Sequence, residues 1–456
     1  MLEKFFKLTE NKTDVKTEVM AGITTFMTMA YILAVNPSIL SAAGMDANAV
    51  LIATALASFV GTVMMALFAN YPFALAPGMG LNAYFAYTVV LQMGYSWQIA
   101  LMAVFVEGLI FIVLSLTNVR EAIFNAIPMT LKSAVSVGIG LFIAFIGLQN
   151  SKLVIHNDAT LVTYQKFAGE EFSTVGITAL LALIGVLIMA VLLIKNVKGG
   201  ILLGIVITWV LGIICELLGI YVPNPDAGWF STIPHAFVSF DFSSLGNTFG
   251  QVFRADFSSI NILDFVVVMF SFLFVDLFDT LGTLIGVSSK ANMLDKDGKL
   301  PRIKGALMAD AVATSVGAVL GTSTTTTYVE SASGVTEGGR TGLTAVVTGL
   351  LFLLALVFSP LFLTIPSFAT APALIIVGFY MMGSVVKIDF ADMTEAIPAF
   401  LCIIAMPLAY SISEGITIGV ISWTILNLVT GKAKEKKISV LMYILSILFI
   451  LKYIFL

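Results

Sequence analysis

Charged residues are scarce in this chain. Only 11% of its 456 residues are Asp, Glu, Lys or Arg, whereas soluble domains carry about 25%. Hydrophobic residues make up 59% of the chain, and long apolar runs recur from one end to the other. The net charge of −4 is too small to indicate a nucleic-acid partner. The composition therefore predicts a polytopic membrane protein that contacts lipid.

Cysteine and histidine are also rare, at two residues each. Cys215 and Cys402 both lie in apolar runs, which excludes a disulfide framework. His156 and His235 fall in long loops, where a solvated histidine is the ordinary case. We therefore expect no metal site and no cofactor. The polar N-terminal stretch lacks the charged-then-apolar pattern of a signal peptide, so we expect no cleaved peptide.

Apolar runs of about 20 residues predict membrane-spanning helices. Two segments, 71–92 and 321–339, are apolar or small but broken, and they bring the expected number of spans to about fourteen. A last apolar run, 438–455, either crosses the membrane or lies in its interface. The regular spans are expected near 18–36, 47–69, 96–118, 129–148, 174–194, 199–219, 262–287, 303–320, 341–363, 371–386, 394–411 and 414–430.

The basic residues predict the orientation of these spans. If the N-terminus is cytoplasmic, most of the 23 Lys and Arg residues fall in cytoplasmic segments. Only Lys152, Lys166 and Arg254 then lie in outside loops. This bias follows the positive-inside rule. We therefore expect a multi-pass protein of the cell membrane with its N-terminus in the cytoplasm.

The two halves of the chain resemble each other. The stretch 126–142 reads AIPMTLKSAVSVGIGLF and the stretch 364–380 reads TIPSFATAPALIIVGFY. Each has an Ile-Pro pair followed by Val-Gly. Seven spans in each half would start the second copy on the opposite side of the membrane. An inverted 7+7 repeat of this kind is typical of secondary transporters.

The broken segments occupy matching places in the two halves. In NYPFALAPGMGLNAYFAYTVV (70–90), the Pro and Gly residues exclude one regular helix. We expect 73–76 to be extended and a helix to begin near Met79. In GTSTTTTYVESASGVTEGG (321–339), the β-branched run 324–327 favours extended backbone, and a short helix follows near Val329. Such backbone at membrane depth needs protein or a water-filled cavity around it, so we expect a binding site for a polar solute here.

Two carboxylates interrupt the apolar run that ends in FVDLFDTLGTLIGV (274–287). Asp276, Asp279, Thr280 and Thr283 are spaced i, i+3, i+4 and i+7, which places them on one helical face. A carboxylate inside a membrane costs at least ~2.5 kcal/mol on insertion scales and indicates function. Glu330 adds an acid at the start of the second half-helix. Asn82 adds an amide in the first.

Acidic acceptors and backbone donors suit a flat ligand that has adjacent N–H donors and carbonyl acceptors. The Watson–Crick edge of a 6-oxopurine fits, because N1–H and the 2-amino group meet a carboxylate while O6 meets donors. Phe73 and Tyr328 flank the breaks and are candidates for stacking on the ring, although ordinary packing is the commoner role. Two further membrane acids, Glu107 and Asp310, are candidates for a proton relay or for tying helices together, and the structural role is favoured.

Four motifs in this order resemble the AzgA-type purine permeases of the nucleobase–ascorbate transporter superfamily. They are AGITTFMTMAYILAVNP (21–37), APGMGLNAYF (76–85), FVDLFDTLGTLIG (274–286) and STTTTYVESASGVTEGGRTG (323–342). The resemblance implies a fourteen-span inverted repeat and proton-driven uptake of hypoxanthine, guanine or adenine. By motif position, it places the essential polar residues at Gly80, Asn82, Asp276, Asp279 and Glu330.

The resemblance also implies a core domain and a gate domain. We expect the core in 1–118 and 262–363, the gate in 129–219 and 371–430, and an additional apolar helix in 438–455. Asp276 and Glu330 would hold the base. Asp279 is the candidate proton carrier, because low dielectric and a like-charged neighbour favour a protonated carboxyl group. The resemblance leaves a homodimer open.

Other functions remain as alternatives. A uracil/xanthine transporter would carry a Glu-led motif where this chain has Asp276. An intramembrane aspartyl protease needs its two aspartates on facing helices, whereas both lie on one helix here, so we expect no enzyme activity. An anion exchanger of similar fold would favour a basic or neutral site. A channel stays open as an alternative, and Na⁺ is a less favoured coupling ion than H⁺.

Overall fold

The computed structural model describes residues 2–117, 127–169, 171–224, 228–258, 260–290, 293–295 and 300–455. The helices are α1 (Leu2–Phe6), α2 (Val15–Met29), α3 (Ile32–Ser41), α4 (Ala47–Ala69), α5 (Met79–Ala83), α6 (Trp97–Ser115), α7 (Met129–Asn150), α8 (Ile177–Ile194), α9 (Gly200–Leu217), α10 (Ile262–Lys290), α11 (Ile303–Leu320), α12 (Ser331–Thr336), α13 (Gly342–Ala355), α14 (Ser359–Thr364), α15 (Ser367–Met382), α16 (Met393–Leu408), α17 (Ile412–Val429) and α18 (Val440–Phe455). The strands are β1 (Leu75–Pro77), β2 (Val154–Asn157), β3 (Leu161–Tyr164) and β4 (Thr325–Thr327).

Eleven helical stretches in the described part of the chain are long and apolar enough to cross a membrane. They coincide with the predicted regular spans except the one at 394–411, which corresponds to the shorter α16. The first stretch, Val15–Ser41, joins α2 and α3 through a tight turn in which the Leu33 N–H donates to the Ala30 carbonyl at 3.1 Å. Residue 118, the predicted end of the third span, lies outside the described residues. The chain is thus a multi-pass membrane protein.

Capping residues fix the ends of several helices. The Asp14 carboxylate accepts from the Thr17 N–H at 3.0 Å, and the Asp46 carboxylate accepts from the Ala49 N–H at 2.8 Å. These contacts satisfy N–H groups that have no partner inside the helix. At the other end of α4, Asn70 adopts a left-handed conformation with φ 51°, which stops the helix just before the first broken segment.

The two broken segments pair with each other. β1 and β4 are antiparallel, with Leu75 opposite Thr327 and Pro77 opposite Thr325. The short helix α5 follows β1 and continues as a π-helix over Tyr84–Gln92, while α12 follows β4. The extended stretches predicted at 73–76 and 324–327 therefore overlap the strands. The helices predicted near residues 79 and 329 begin at Met79 and Ser331.

The long helices pack in two groups. In the first group, α4 packs against α11 and α13, α6 packs against α11, and α2 packs against α13. In the second group, α7 packs against α15 and α16, α16 packs against α17, and α8 packs against α9 and α15. Both broken segments contact the first group, since β1 packs on α4 and β4 packs on α11.

The C-terminal helix α18 packs on α17. Within this contact, the buried Ser446 hydroxyl bonds to the Thr424 hydroxyl at 2.8 Å. The linker before α18 is fixed by Lys436, whose Nζ lies 2.7 Å from Asp392 and 3.1 Å from Glu395. These contacts attach α18 to the second group.

Candidate functional site

The paired strands β1 and β4 form the centre of the candidate site, and backbone hydrogen bonds extend their pairing at both ends. Beyond the ladder, the Gly78 N–H donates to the Thr324 carbonyl at 3.0 Å, and the Tyr328 N–H donates to the Ala74 carbonyl at 2.9 Å. A two-stranded ladder still leaves outward-facing N–H and C=O groups. Such groups are costly at membrane depth unless protein satisfies them.

In each strand, a threonine from a neighbouring helix satisfies the outward-facing groups of one residue, and the two arrangements are equivalent. The Thr62 hydroxyl of α4 accepts from the Leu75 N–H at 2.9 Å and donates to the Leu75 carbonyl at 3.2 Å. The Thr314 hydroxyl of α11 accepts from the Thr325 N–H at 3.3 Å and donates to the Thr325 carbonyl at 3.1 Å. A helix that precedes each strand thus supplies one hydroxyl to it. This equivalence is what an inverted repeat would produce.

Asp276 and Asp310 share one hydroxyl. The Thr280 Oγ1 atom lies 2.8 Å from Asp276 Oδ1 and 2.7 Å from Asp310 Oδ1, and all three residues are fully buried. A hydroxyl group donates only one hydrogen. The second short contact therefore needs a hydrogen on the carboxyl side. This arrangement fits a pair of carboxyl groups that holds one proton.

Asp279 faces the strand β4. Its Oδ2 atom accepts from the Thr326 hydroxyl at 3.1 Å. Unlike Asp276, Asp279 is only half-buried. The polar residues that were predicted to share one face of α10 thus have different partners. Asp279 contacts β4, whereas Thr280 contacts α11.

Glu330 is held by a residue that the sequence did not single out. The Tyr31 hydroxyl, from the turn between α2 and α3, donates to Glu330 Oε1 at 2.7 Å. Tyr31 is fully buried, whereas Glu330 is half-buried. The neighbouring residue Val329 is 55% exposed, so this end of β4 borders open space. Glu330 and Asp279 are close enough to interact electrostatically.

Asn82 and Tyr328 tie the two broken segments together. The Ser323 hydroxyl donates to Asn82 Oδ1, and the Asn82 amide donates to the Pro77 carbonyl at 3.4 Å. The Tyr328 hydroxyl donates to the same carbonyl at 2.6 Å. Both side chains were predicted to contact the ligand. In this structure their polar atoms bind the protein.

The remaining predicted residues occupy different environments. Phe73 is fully buried and stacks on Tyr71, with ring centroids 5.2 Å apart and an interplanar angle of 28°. It therefore packs in the protein, which was the alternative role. Gly80 lies against α7, where an added Cβ would stand 2.8 Å from Ile139 Cγ2. Thr283 is half-buried on α10.

Sequence reasoning missed Tyr31 and favoured a structural role for Asp310 over a role in a proton relay. Tyr31 is a single tyrosine in an apolar stretch of sequence, and such a residue carries no signal that distinguishes a binding site from a packed core. Glu107, also expected to be structural, is fully buried and accepts from the Thr324 hydroxyl beside β4 at 2.8 Å. The sequence signal for Asp310 and Glu107 was the high free-energy cost of placing an acid inside a membrane, which indicates function.

The arrangement is rich in hydrogen-bond acceptors at one point of the bundle. Carboxyl groups from α6, α10, α11 and the start of α12 surround β4, and hydroxyl groups link several of them. Ionised carboxylates accept hydrogen bonds, and protonated ones can release a proton. The site can therefore bind a polar ligand that has N–H donors and can hold exchangeable protons. Among the described residues, no group of His, Cys, Asp and Glu has the arrangement of a metal site.

Comparison with known proteins agrees with the motif resemblance. Residues 16–418 match the Xan_ur_permease family, described as a permease family. The chain is 47% identical over 466 residues to the guanine/hypoxanthine permease PbuG of Bacillus subtilis, covering 100% of both chains. It is 42% identical over 455 residues to the adenine permease AdeP of Escherichia coli, covering 100% of this chain and 96% of AdeP.

A solved structure shares the fold. The transmembrane domain of the cyanobacterial bicarbonate transporter BicA superposes with a TM-score of 0.62 at 16% identity, covering 88% of this chain and 97% of that one. At that identity the likeness concerns the fold alone. The family match and the full-length relatives together show that the chain belongs to the permease family.

Proposed function

We propose that this permease is a secondary active transporter that takes up purine nucleobases by proton symport. The observation that carries the proposal is the carboxylate of half-buried Glu330 beside β4, which accepts from the Tyr31 hydroxyl at the border of open space. The relatives named as adenine and guanine/hypoxanthine permeases support a purine as the ligand. We place the protein in the plasma membrane with a cytoplasmic N-terminus, on the evidence of its basic residues.

Base recognition would use acidic acceptors. Tyr31 is the described side chain that hydrogen-bonds to Glu330, at Oε1, so Oε2 can accept from the ring N–H donors of a 6-oxopurine. Asp279 is half-buried nearby, whereas Asp276 is fully buried. An incoming base would therefore meet Glu330 and Asp279 first. Asp276 would take part through a local movement of its side chain.

Proton coupling would use the carboxyl groups around Thr280. The shared hydroxyl between Asp276 and Asp310 supports a proton held by that pair. Asp279 was the carrier expected from the sequence, and it remains the second candidate. Substitution of Asp310 and of Asp279 separates the two assignments, because each residue belongs to only one of them.

The two helix groups would move relative to each other during transport. The first group would carry the site, and the second would form the gate. Hydrogen bonds link the groups near the outer ends of the helices, where the Thr88 hydroxyl donates to the Tyr410 carbonyl at 3.0 Å and the Gln92 amide donates to the Ala409 carbonyl at 3.1 Å. These contacts support a conformation that is closed toward the outside.

The test is uptake in cells that lack purine transport. Labelled hypoxanthine should accumulate, and unlabelled guanine or adenine should compete better than xanthine or uracil. A protonophore should abolish accumulation. Flux that does not saturate would support a channel instead, and competition by uracil alone would support the uracil/xanthine alternative.

A further inference from the structure

Tyr31 links the first membrane helix to the candidate site. It lies between α2 and α3, far in sequence from Glu330, and its side chain is fully buried. Its hydroxyl donates to Glu330 Oε1 at 2.7 Å. A buried hydroxyl is costly unless it has a hydrogen-bond partner. The partner here is a carboxylate of the site.

The segment that bears Glu330 is seated closely on the helix that leads to Tyr31. An added Cβ at Gly334, in α12, would lie 2.6 Å from the Ala21 carbonyl oxygen of α2. An added Cβ at Gly339 would lie 2.8 Å from Ala21 Cβ. Because only glycine permits this approach, the backbones on both sides of the Tyr31–Glu330 contact are held in place.

One fixed oxygen orients the whole carboxylate. The carboxylate group is planar, and the segments that carry Tyr31 and Glu330 are packed closely together. A hydrogen bond at Oε1 therefore also orients Oε2. Among the described residues, Tyr31 is the side chain that hydrogen-bonds to Glu330, and it does so at Oε1. Glu330 is half-buried at the border of open space. Oε2 is therefore the atom available to a ligand.

We propose that Tyr31 is a positioning residue that aims Glu330 Oε2 at the N–H donors of the transported base. This inference rests on the proposed function. Tyr31 acts through Glu330 and is not itself required to touch the base. Among the described residues, the ionisable groups close enough to interact electrostatically with Glu330 include Tyr31, Tyr328, Asp279 and Tyr380. Of these, Tyr31 is the residue that donates a hydrogen bond to Glu330.

The positioning role has a consequence for selectivity. Guanine presents two adjacent N–H donors, N1–H and the 2-amino group, and an aimed carboxylate can meet both. Adenine presents one amino group beside the acceptor N1 on the same edge. Loss of this orientation of the Glu330 carboxylate should therefore weaken guanine binding more than adenine binding.

The experiment measures binding of labelled guanine and adenine to the purified full-length protein. Tyr31→Phe removes only the hydroxyl and should raise the guanine Kd roughly tenfold, with a smaller change for adenine. The matched control is Tyr221→Phe. Tyr221 is also buried, but its hydroxyl donates to the Phe230 carbonyl at 2.7 Å, away from the site. This control should bind both bases as the native protein does.

A double-mutant cycle with Glu330→Gln tests whether Tyr31 acts through Glu330. Tyr31→Phe should cause little further loss in the Glu330→Gln background. The ratio of guanine to adenine affinity in Tyr31→Phe does not depend on the fraction of folded protein. This ratio therefore tests the positioning role even if a variant is unstable or the double variant binds too weakly to measure. An unchanged ratio, or an equal loss in both backgrounds, would overturn the inference. Failure of the native protein to bind any purine would overturn the proposed function itself, a distinct result.

Discussion

Gly80 and Ile139 meet where the two helix groups face each other beside the site. Gly80 lies in α5, directly after β1, and Ile139 lies in α7 of the second group. A Cβ at residue 80 would stand 2.8 Å from Ile139 Cγ2, which is closer than van der Waals contact allows. The absence of a side chain at residue 80 therefore sets how closely the groups approach.

Gly80→Ala is expected to slow uptake of the purine strongly. Overpacking costs about 1–3 kcal/mol, and here it would occur at a contact between the two helix groups that move during transport. Initial uptake rates, normalised to protein in the membrane, measure the effect. Gly80→Ala combined with Ile139→Ala should recover much of the rate. Gly246→Ala is the control, since no atom lies within 4 Å of its added Cβ. A normal rate in Gly80→Ala would show that this contact does not limit transport.

Glu330→Gln and Asp276→Asn are each expected to abolish or severely reduce uptake while the protein still reaches the membrane. Loss of a charged hydrogen-bond partner costs ~1.5–3 kcal/mol, which is roughly tenfold or more in affinity. Uptake of labelled hypoxanthine and surface amounts of protein are measured together. Glu171→Gln, in an exposed loop, should behave as the native protein. Near-normal transport by either site variant would remove that residue from the site.

A covalent link between the two helix groups should stop transport. Gln92 and Ala409 are in contact across the groups, with a hydrogen bond of 3.1 Å. Cysteines at these two positions, in a chain without Cys215 and Cys402, can be oxidised and then reduced. Cysteines at Thr424 and Ser446, which are in contact inside the second group, provide the control. Undiminished flux in a verified 92–409 cross-link would contradict relative movement of the groups.

Uptake should quicken as the outside becomes more acidic, and variants should identify the proton carrier. If the pair bridged by Thr280 holds the proton, Asp310→Asn should lose accumulation against a gradient yet keep exchange of bound base. If Asp279 is the carrier, Asp279→Asn should show that behaviour instead. Counterflow and protonophore-sensitive accumulation are the two measurements. Uptake that follows a sodium gradient and ignores pH would contradict proton coupling.

Lys436→Ala is expected to lower the thermal unfolding midpoint at neutral pH. The pKa of Asp392 lies below its ordinary value because Lys436 and then Thr394 hydrogen-bond to its carboxylate, and Asp392 in turn raises the pKa of Lys436. A depressed carboxyl pKa contributes stability above about pH 3.9, the unfolded value, and that stability is lost as the pH falls through the folded value. A raised lysine pKa contributes below about pH 10.4 and is lost as the pH rises through the folded value.

The destabilisation by Lys436→Ala should therefore be largest between those two limits and should shrink in acid. Detergent-solubilised protein and a series of buffers are sufficient for the measurement. Lys434→Ala is the matched control, because Lys434 is an exposed residue of the same linker and forms no ion pair among the described residues. An equal destabilisation at every pH would show that Lys436 acts through packing and not through its charge.

Local chemistry made the broken segments predictable. Prolines and glycines before Met79 and β-branched residues at 324–327 each exclude or disfavour helix, and the strands form at those places. The cost of an acid in a membrane likewise marked Asp276, Asp279 and Glu330. These signals reside in a few neighbouring residues, so one sequence is sufficient to read them.

Contacts between distant residues could not be predicted in the same way. The Tyr31–Glu330 and Thr280–Asp310 hydrogen bonds depend on how helices α2, α10, α11 and α12 pack in three dimensions. Phe73 is a further example of a contact that depends on tertiary packing. Its position next to the break made it a candidate for stacking on the ligand, with ordinary packing the commoner role, and in the structure it stacks on Tyr71.

The hydroxyl shared by Asp276 and Asp310 also bears on how the membrane voltage acts on the protein. Two bare carboxylates would give this pair two negative charges, whereas one shared proton leaves it with one. Each elementary charge that crosses 100 mV changes the free energy by about 2.3 kcal/mol. If the first helix group moves its acids through part of that field, the proton held between Asp276 and Asp310 changes the charge that moves. That proton would then alter how far the membrane voltage opposes or assists the return of the empty site.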